Sequence, residues 1–126
     1  MDERFQRGLE RFNQRDFYEA HEVLEDLWHE YRENDRTFLQ GLIQISAGLY
    51  HLDCRNFKGA RSQLEKGLKK LAVYHPFHSG VNVGTLTGDV HRCLAAMDRI
   101  EKSKEGSFDL SLFPSIHYSP EKHYRT

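Results

Sequence analysis

His21, Glu25 and Trp28 stand four and three residues apart in the segment His21-Glu22-Val23-Leu24-Glu25-Asp26-Leu27-Trp28. An α-helix repeats every 3.6 residues, so positions i, i+4 and i+7 share one strip of its surface. An imidazole, a carboxylate and an indole would project together from that strip. An imidazole and a carboxylate one turn apart can chelate a divalent ion. His51 from another helix would supply a third ligand, and His29, one turn further on, would extend the ladder. Three protein ligands with an open position permit water activation, the chemistry of a metal-dependent hydrolase. Such nitrogen and oxygen donors suit zinc, manganese or iron. Glu22, beside His21, is then the candidate catalytic base. The segment reads HExxE where a zinc-protease helix needs HExxH, which argues against a peptidase.

The same residues admit two other readings. In one, His21 and Glu25 form a structural lock between helices, Trp28 covers the pair, and Gln44 and His51 complete its hydrogen bonds. In the other, the strip lines a pocket on a non-catalytic scaffold that binds a peptide or small ligand. Residue types and spacing alone leave all three open. The remaining histidines, His75, His78, His91, His117 and His123, follow no ligand spacing, and no phosphate-binding loop or nucleophile elbow occurs.

Apolar periodicity predicts the elements that must carry the strip. Phe5, Leu9 and Phe12 give a first helix over 2–13. Asp16 stands where a cap is needed for a second helix over 17–31, whose inner face is Phe17, Ala20, Leu24, Leu27, Trp28 and Tyr31. A loop over 32–35 follows. The third helix, 36–54, is apolar nearly all round and should be central. One strip of it differs: Gln40, Gln44, Ala47, Gly48 and His51. Its small residues let a neighbouring helix approach, and its amides and imidazole need partners if buried. A fourth helix over 57–74 ends before His75-Pro76. A loop over 77–88 precedes a fifth helix over 89–102. Residues 106–126 read as an extended tail that packs Phe113 and Ile116, with its last residues disordered.

Residues 15–25 align with residues 55–65 at an offset of 40, with arginine, phenylalanine, alanine, leucine and glutamate coinciding. The pattern is like that of tetratricopeptide hairpins. Glu25 has a counterpart in Glu65, whereas His21 is matched by Arg61 and Trp28 by Leu68. Expected, then, is an all-α fold. A compact five-helix bundle over 1–105 has tetratricopeptide-like hairpins formed by helices 2–3 and 4–5, with the tail over 106–126.

A chain of 126 residues with 38% hydrophobic and 29% charged residues suits one folded domain. Its formal net charge of −1 offers no field to draw nucleic acid or an anionic membrane surface. The charged N-terminal segment lacks an apolar signal region, and the stretch 39–49 is too short and too polar to span a bilayer. A cytoplasmic protein is expected. Cys54 and Cys93 lie far apart and read as free thiols.

The stretch from Phe12 to Trp28, with His21, Glu25 and Trp28 as a His-x-x-x-Glu-x-x-Trp motif, resembles the family called domain of unknown function 309. Phe38-Leu39-Gln40-Gly41-Leu42-Ile43-Gln44 and Asn56-Phe57-Lys58-Gly59-Ala60 resemble its second and third blocks. The resemblance runs over about residues 4–71. It implies a small all-α protein that forms dimers, and carries with it the label of predicted metal-dependent hydrolase. Surplus apolar surface on the third helix also points to a homodimer.

Overall fold

The same turn is built twice in this chain. Arg15 and Arg55 both adopt a left-handed backbone with φ of 64°. Each closes the helix before it, with Arg15 N–H donating to Phe12 O at 2.9 Å and Arg55 N–H to Leu52 O at 3.0 Å. The next residue caps the helix that follows: Asp16 accepts from Glu19 N–H, and Asn56 from Gly59 N–H. A left-handed residue followed by an Asx cap reverses the chain in a few residues without leaving helix-end groups unpaired.

These turns join α1 (Glu3–Asn13) to α2 (Phe17–Glu30) and α3 (Asp35–Asp53) to α4 (Phe57–Leu71) in a computed structural model that describes residues 3–31, 35–104 and 106–120. The duplicated hairpins are therefore α1–α2 and α3–α4, not the 2–3 and 4–5 pairs read from the sequence. The reason lies in the aligned segment, which holds a turn and the helix after it, so the unit must begin one helix earlier. The packing repeats as well. A Cβ on Gly8 would lie 2.7 Å from Leu24, and one on Gly48 2.7 Å from Leu64. Both glycines let the second helix of a hairpin seat a leucine against the backbone of the first.

Among the described residues five helices pack together with one two-strand hairpin. α3 lies against both α2 and α4, and α1 packs on α2. Helix α3 is central, as its all-round apolar character requires, with Phe38, Leu39, Leu42, Ile45, Leu49 and Leu52 fully buried. The surplus apolar surface expected there is covered by its neighbours, and Tyr50 is its exposed large apolar side chain.

Beyond α4 the structure departs from the sequence reading. The α-helix stops at Leu71, a 3-10 turn covers Ala72–Tyr74, and strands β1 (Phe77–His78) and β2 (Val81–Asn82) pair antiparallel. Ser79 and Gly80 make the tight turn with φ of 49° and 80°. Helix α5 spans Val83–Ser103, starting at Val83 rather than at residue 89. Asn82 caps it by accepting from Thr85 N–H at 2.9 Å, and Val83, Leu86 and Val90 are buried. Gly84 and Gly88 hid this start, since glycine weakens helix propensity, but a cap and three buried side chains outweigh that cost.

The segment after α5 is pinned to the bundle. The Asn13 side chain donates to Ile116 O at 2.9 Å and accepts from Ile116 N–H at 2.7 Å, as a strand edge would. Tyr118 bridges to Val81, and Phe108, Phe113 and Ile116 are buried. The expected loop over 32–35 falls mostly at residues 32–34, and the expected terminal disorder at 121–126; both lie outside the described residues.

Candidate functional site

Helices α2 and α3 together form the site. The Asp16 cap starts α2 so that Phe17, Ala20, Leu24 and Leu27 face the core, which leaves His21, Glu25 and Trp28 on the flank toward α3. His21 Nε2 lies 3.3 Å from Glu25 Oε2, with the two side chains 26% and 43% exposed. That exposure decides the strength of the tie. An i, i+4 pair so open to water contributes only about 0.3–0.5 kcal/mol.

The pair lies at the mouth of a cavity of about 220 Å³, lined by His21, Glu25 and Trp28 from α2, Gln40, Ile43, Gln44 and Ala47 from α3, and Gln63 from α4. Two residues of this wall each hold a buried polar atom with no hydrogen-bond partner among the described residues, the Trp28 indole Nε1 and Gln44 Oε1. Arg36 places its guanidinium 3.9 Å from the Trp28 ring centroid, a cation–π contact that holds the indole. A second depression of about 200 Å³ adjoins the first, sharing His21 and Ala47 and adding Tyr18, Tyr50 and His51.

The duplication shows that this opening is not a packing requirement. Arg61 stands in the second hairpin where His21 stands in the first. Its guanidinium bonds to Asp98 at 2.7 Å and to Glu101, both on α5. The equivalent position is thus closed by ion pairs to the next helix, whereas His21 borders an open cavity.

Of the residues singled out from the sequence, His21, Glu25, Trp28, Gln40 and Gln44 meet at one cavity. His51 does not join them. It lines the adjoining depression, with Nδ1 3.3 Å from the Asn56 side-chain amide. It occupies the level of the second inter-helix turn, beyond Ala47 on α3. Glu22 bonds to the Tyr18 hydroxyl, which raises the Tyr18 pKa, and it lies outside the lining of both cavities. His29 is exposed and sits edge-on to Trp28.

No group of three or more His, Cys, Asp and Glu side chains among the described residues could hold a metal ion. The expected set of His21, Glu25 and His51 forms no such group: His21 pairs with Glu25, and His51, which shares only the adjoining depression with His21, lies beside Asn56. Two exposed donors do not make a three-ligand centre, and the donor set does not fit the metal that the hydrolase label implies.

Gln63, Arg36, Tyr18 and Tyr50 were missed from the sequence. For Gln63 a signal existed: it takes the place of Val23 in the repeat, a polar residue where the first hairpin has an apolar one. Cys54 and Cys93 are free thiols, the first exposed and the second buried. Burial, with Asp89 nearby, pushes the Cys93 thiol up to about 12, and its Sγ–H donates to Leu112 O at 3.1 Å. Among the described residues no helix is long and apolar enough to cross a membrane.

A family described as "Domain of unknown function (DUF309)" matches residues 5–63. That span contains every residue lining both cavities. A Bacillus subtilis (strain 168) protein named "Uncharacterized protein YpuF" is 34% identical to this chain over 62 residues, covering 48% of the chain and 36% of that protein. The match spans about a third of that relative's length.

Proposed function

We propose that this chain is a non-catalytic helical binding module whose α2–α3 cavity takes a small polar group, free or borne on a peptide. The observation that carries this reading is a pair of buried polar atoms without partners among the described residues, Trp28 Nε1 and Gln44 Oε1, on two residues that line one cavity. An unmet donor and an unmet acceptor cost stability, and folded proteins keep few of them. A ligand that offers an acceptor to the indole and a donor to the amide would satisfy both. Gln40 and Gln63 add two more amides, each both donor and acceptor. A primary carboxamide, a urea or the edge of a pyrimidine has this alternation. The structural-lock reading has less support, because the His21–Glu25 pair is too exposed to contribute much. The hydrolase reading lacks, among the described residues, a third ligand, and the cavity lining holds no acid or base besides His21 and Glu25.

Trp28 is the one tryptophan of the chain, so its indole N–H gives a single nitrogen–proton resonance from within the site. Uracil, nicotinamide and N-acetylglutamine amide, titrated separately, should include a probe that moves this resonance saturably. Gln44→Met should abolish the shift. If none of the three moves the indole in the wild type, or if Gln44→Met leaves the shift intact, the reading fails. Metal analysis of untagged protein tests the alternative: about one zinc, manganese or iron per chain, lost in His21→Ala, would replace the binding module with a metal site.

A further inference from the structure

We propose that the depression formed by Tyr18, His21, Ala47, Tyr50 and His51 is a separate site for a methylated organic cation, of the quaternary ammonium class. Its walls are aromatic. Tyr18 and Tyr50 face each other across α2 and α3 with ring centroids 5.4 Å apart and planes inclined by 54°. The His21 ring stands 6.4 Å from Tyr18, and the His51 ring 6.0 Å from Tyr50. The rings therefore form an open V rather than a closed stack, and the Ala47 methyl lies in the same lining. Both tyrosines remain unusually exposed for their size, at 52% and 38%.

Two carboxylates stand beside Tyr18. Glu22 accepts from the Tyr18 hydroxyl, and Glu19 lies close enough to disfavour its ionisation further. A phenol that donates to a carboxylate carries a more electron-rich ring. A cation over a ring face is held by the ring quadrupole, and its methyl groups cover the apolar remainder. A compact, strongly hydrated ammonium would give up its water for little in so open a site. A weakly hydrated cation clothed in methyl groups loses less and gains both contacts.

The test compares choline with 3,3-dimethylbutan-1-ol, which has the same shape with carbon in place of the charged nitrogen. Each is titrated into the whole chain at low salt and pH 8, and the tyrosine ring resonances are followed. Choline should shift Tyr18 and Tyr50 saturably while the Trp28 indole, in the other cavity, stays in place. The neutral alcohol should bind at least about fivefold more weakly, and Tyr18→Leu or Tyr50→Leu should each cost about two- to fivefold in choline affinity. Tyr18→Phe keeps the ring and should retain binding within about twofold, which separates loss of the aromatic face from a general disturbance. Equal binding of the alcohol, an unaffected Tyr18→Leu variant, a shift confined to the indole, or no saturable shift with choline would each overturn the proposal.

Discussion

Gln44→Met discriminates most sharply between a pocket kept for a ligand and a lock kept for stability. Methionine matches glutamine closely in length and volume, so the exchange removes the amide without opening a hole. Gln44 Oε1 is buried and has no partner among the described residues, a state that costs about 1–3 kcal/mol. The Gln44 residue as a whole is only half-buried beside the cavity, so the lower end of that range applies. Replacing the amide should therefore stabilise the fold by about 1 kcal/mol, or raise Tm by roughly 3–6 °C for a domain of this size. Urea unfolding with an unchanged slope would attribute the gain to stability rather than to an altered unfolded state. The gain should come with loss of the Trp28-reported ligand response, the usual trade between a binding site and stability. A variant that melts lower than wild type by a comparable margin would refute the reasoning. It would show that the amide serves a partner inside the fold.

Other outcomes follow from the same geometry. His21→Ala should cost less than about 1 kcal/mol in denaturant unfolding, because the Glu25 pair is exposed; a loss of about 3 kcal/mol would restore the lock. Arg55→Gly should raise stability by up to about 1 kcal/mol, since glycine adopts the φ of 64° without Cβ strain, while Asn56→Ala should lower it by about 1 kcal/mol through loss of the cap. Iodoacetamide at pH 8 should alkylate Cys54 in the folded protein and spare Cys93, as mass spectrometry of the two peptides would show. The Cys93 thiol is held protonated to about 12 when folded but ionises near its ordinary value when unfolded. Above that ordinary value the folded state binds more protons, so stability should fall as pH rises from about 9 toward 12. Cys93→Ala should flatten that part of the pH–stability profile.

Much of the helical framework was legible in the chain itself. Phe5, Leu9 and Phe12, or Phe17, Ala20, Leu24 and Leu27, follow a period set by backbone geometry alone, and Asp16 is a local cap whose partner lies three residues away. The strip of His21, Glu25 and Trp28, and the counter-strip of Gln40 and Gln44, were readable for the same reason. The repeat was visible too, although the extent of its unit was not, because Gly8 and Gly48 acquire meaning only against Leu24 and Leu64 on the facing helix. The start of α5 went unread because its cap and buried side chains outweigh two glycines only once the hairpin and the pinned tail cover them.

What the residues do together was decided by tertiary packing. Spacing along a helix places His21 beside Glu25 but says nothing of which side chains of other helices gather around them, and among the described residues no third ligand does. Gln63 reaches the cavity from a helix with no motif of its own. Arg61 closes its gap through carboxylates on α5, far away in the chain. Burial of Trp28 Nε1 and Gln44 Oε1 exists only when α2, α3 and α4 are assembled, because desolvation depends on every neighbour of an atom, and most of those neighbours are remote in sequence.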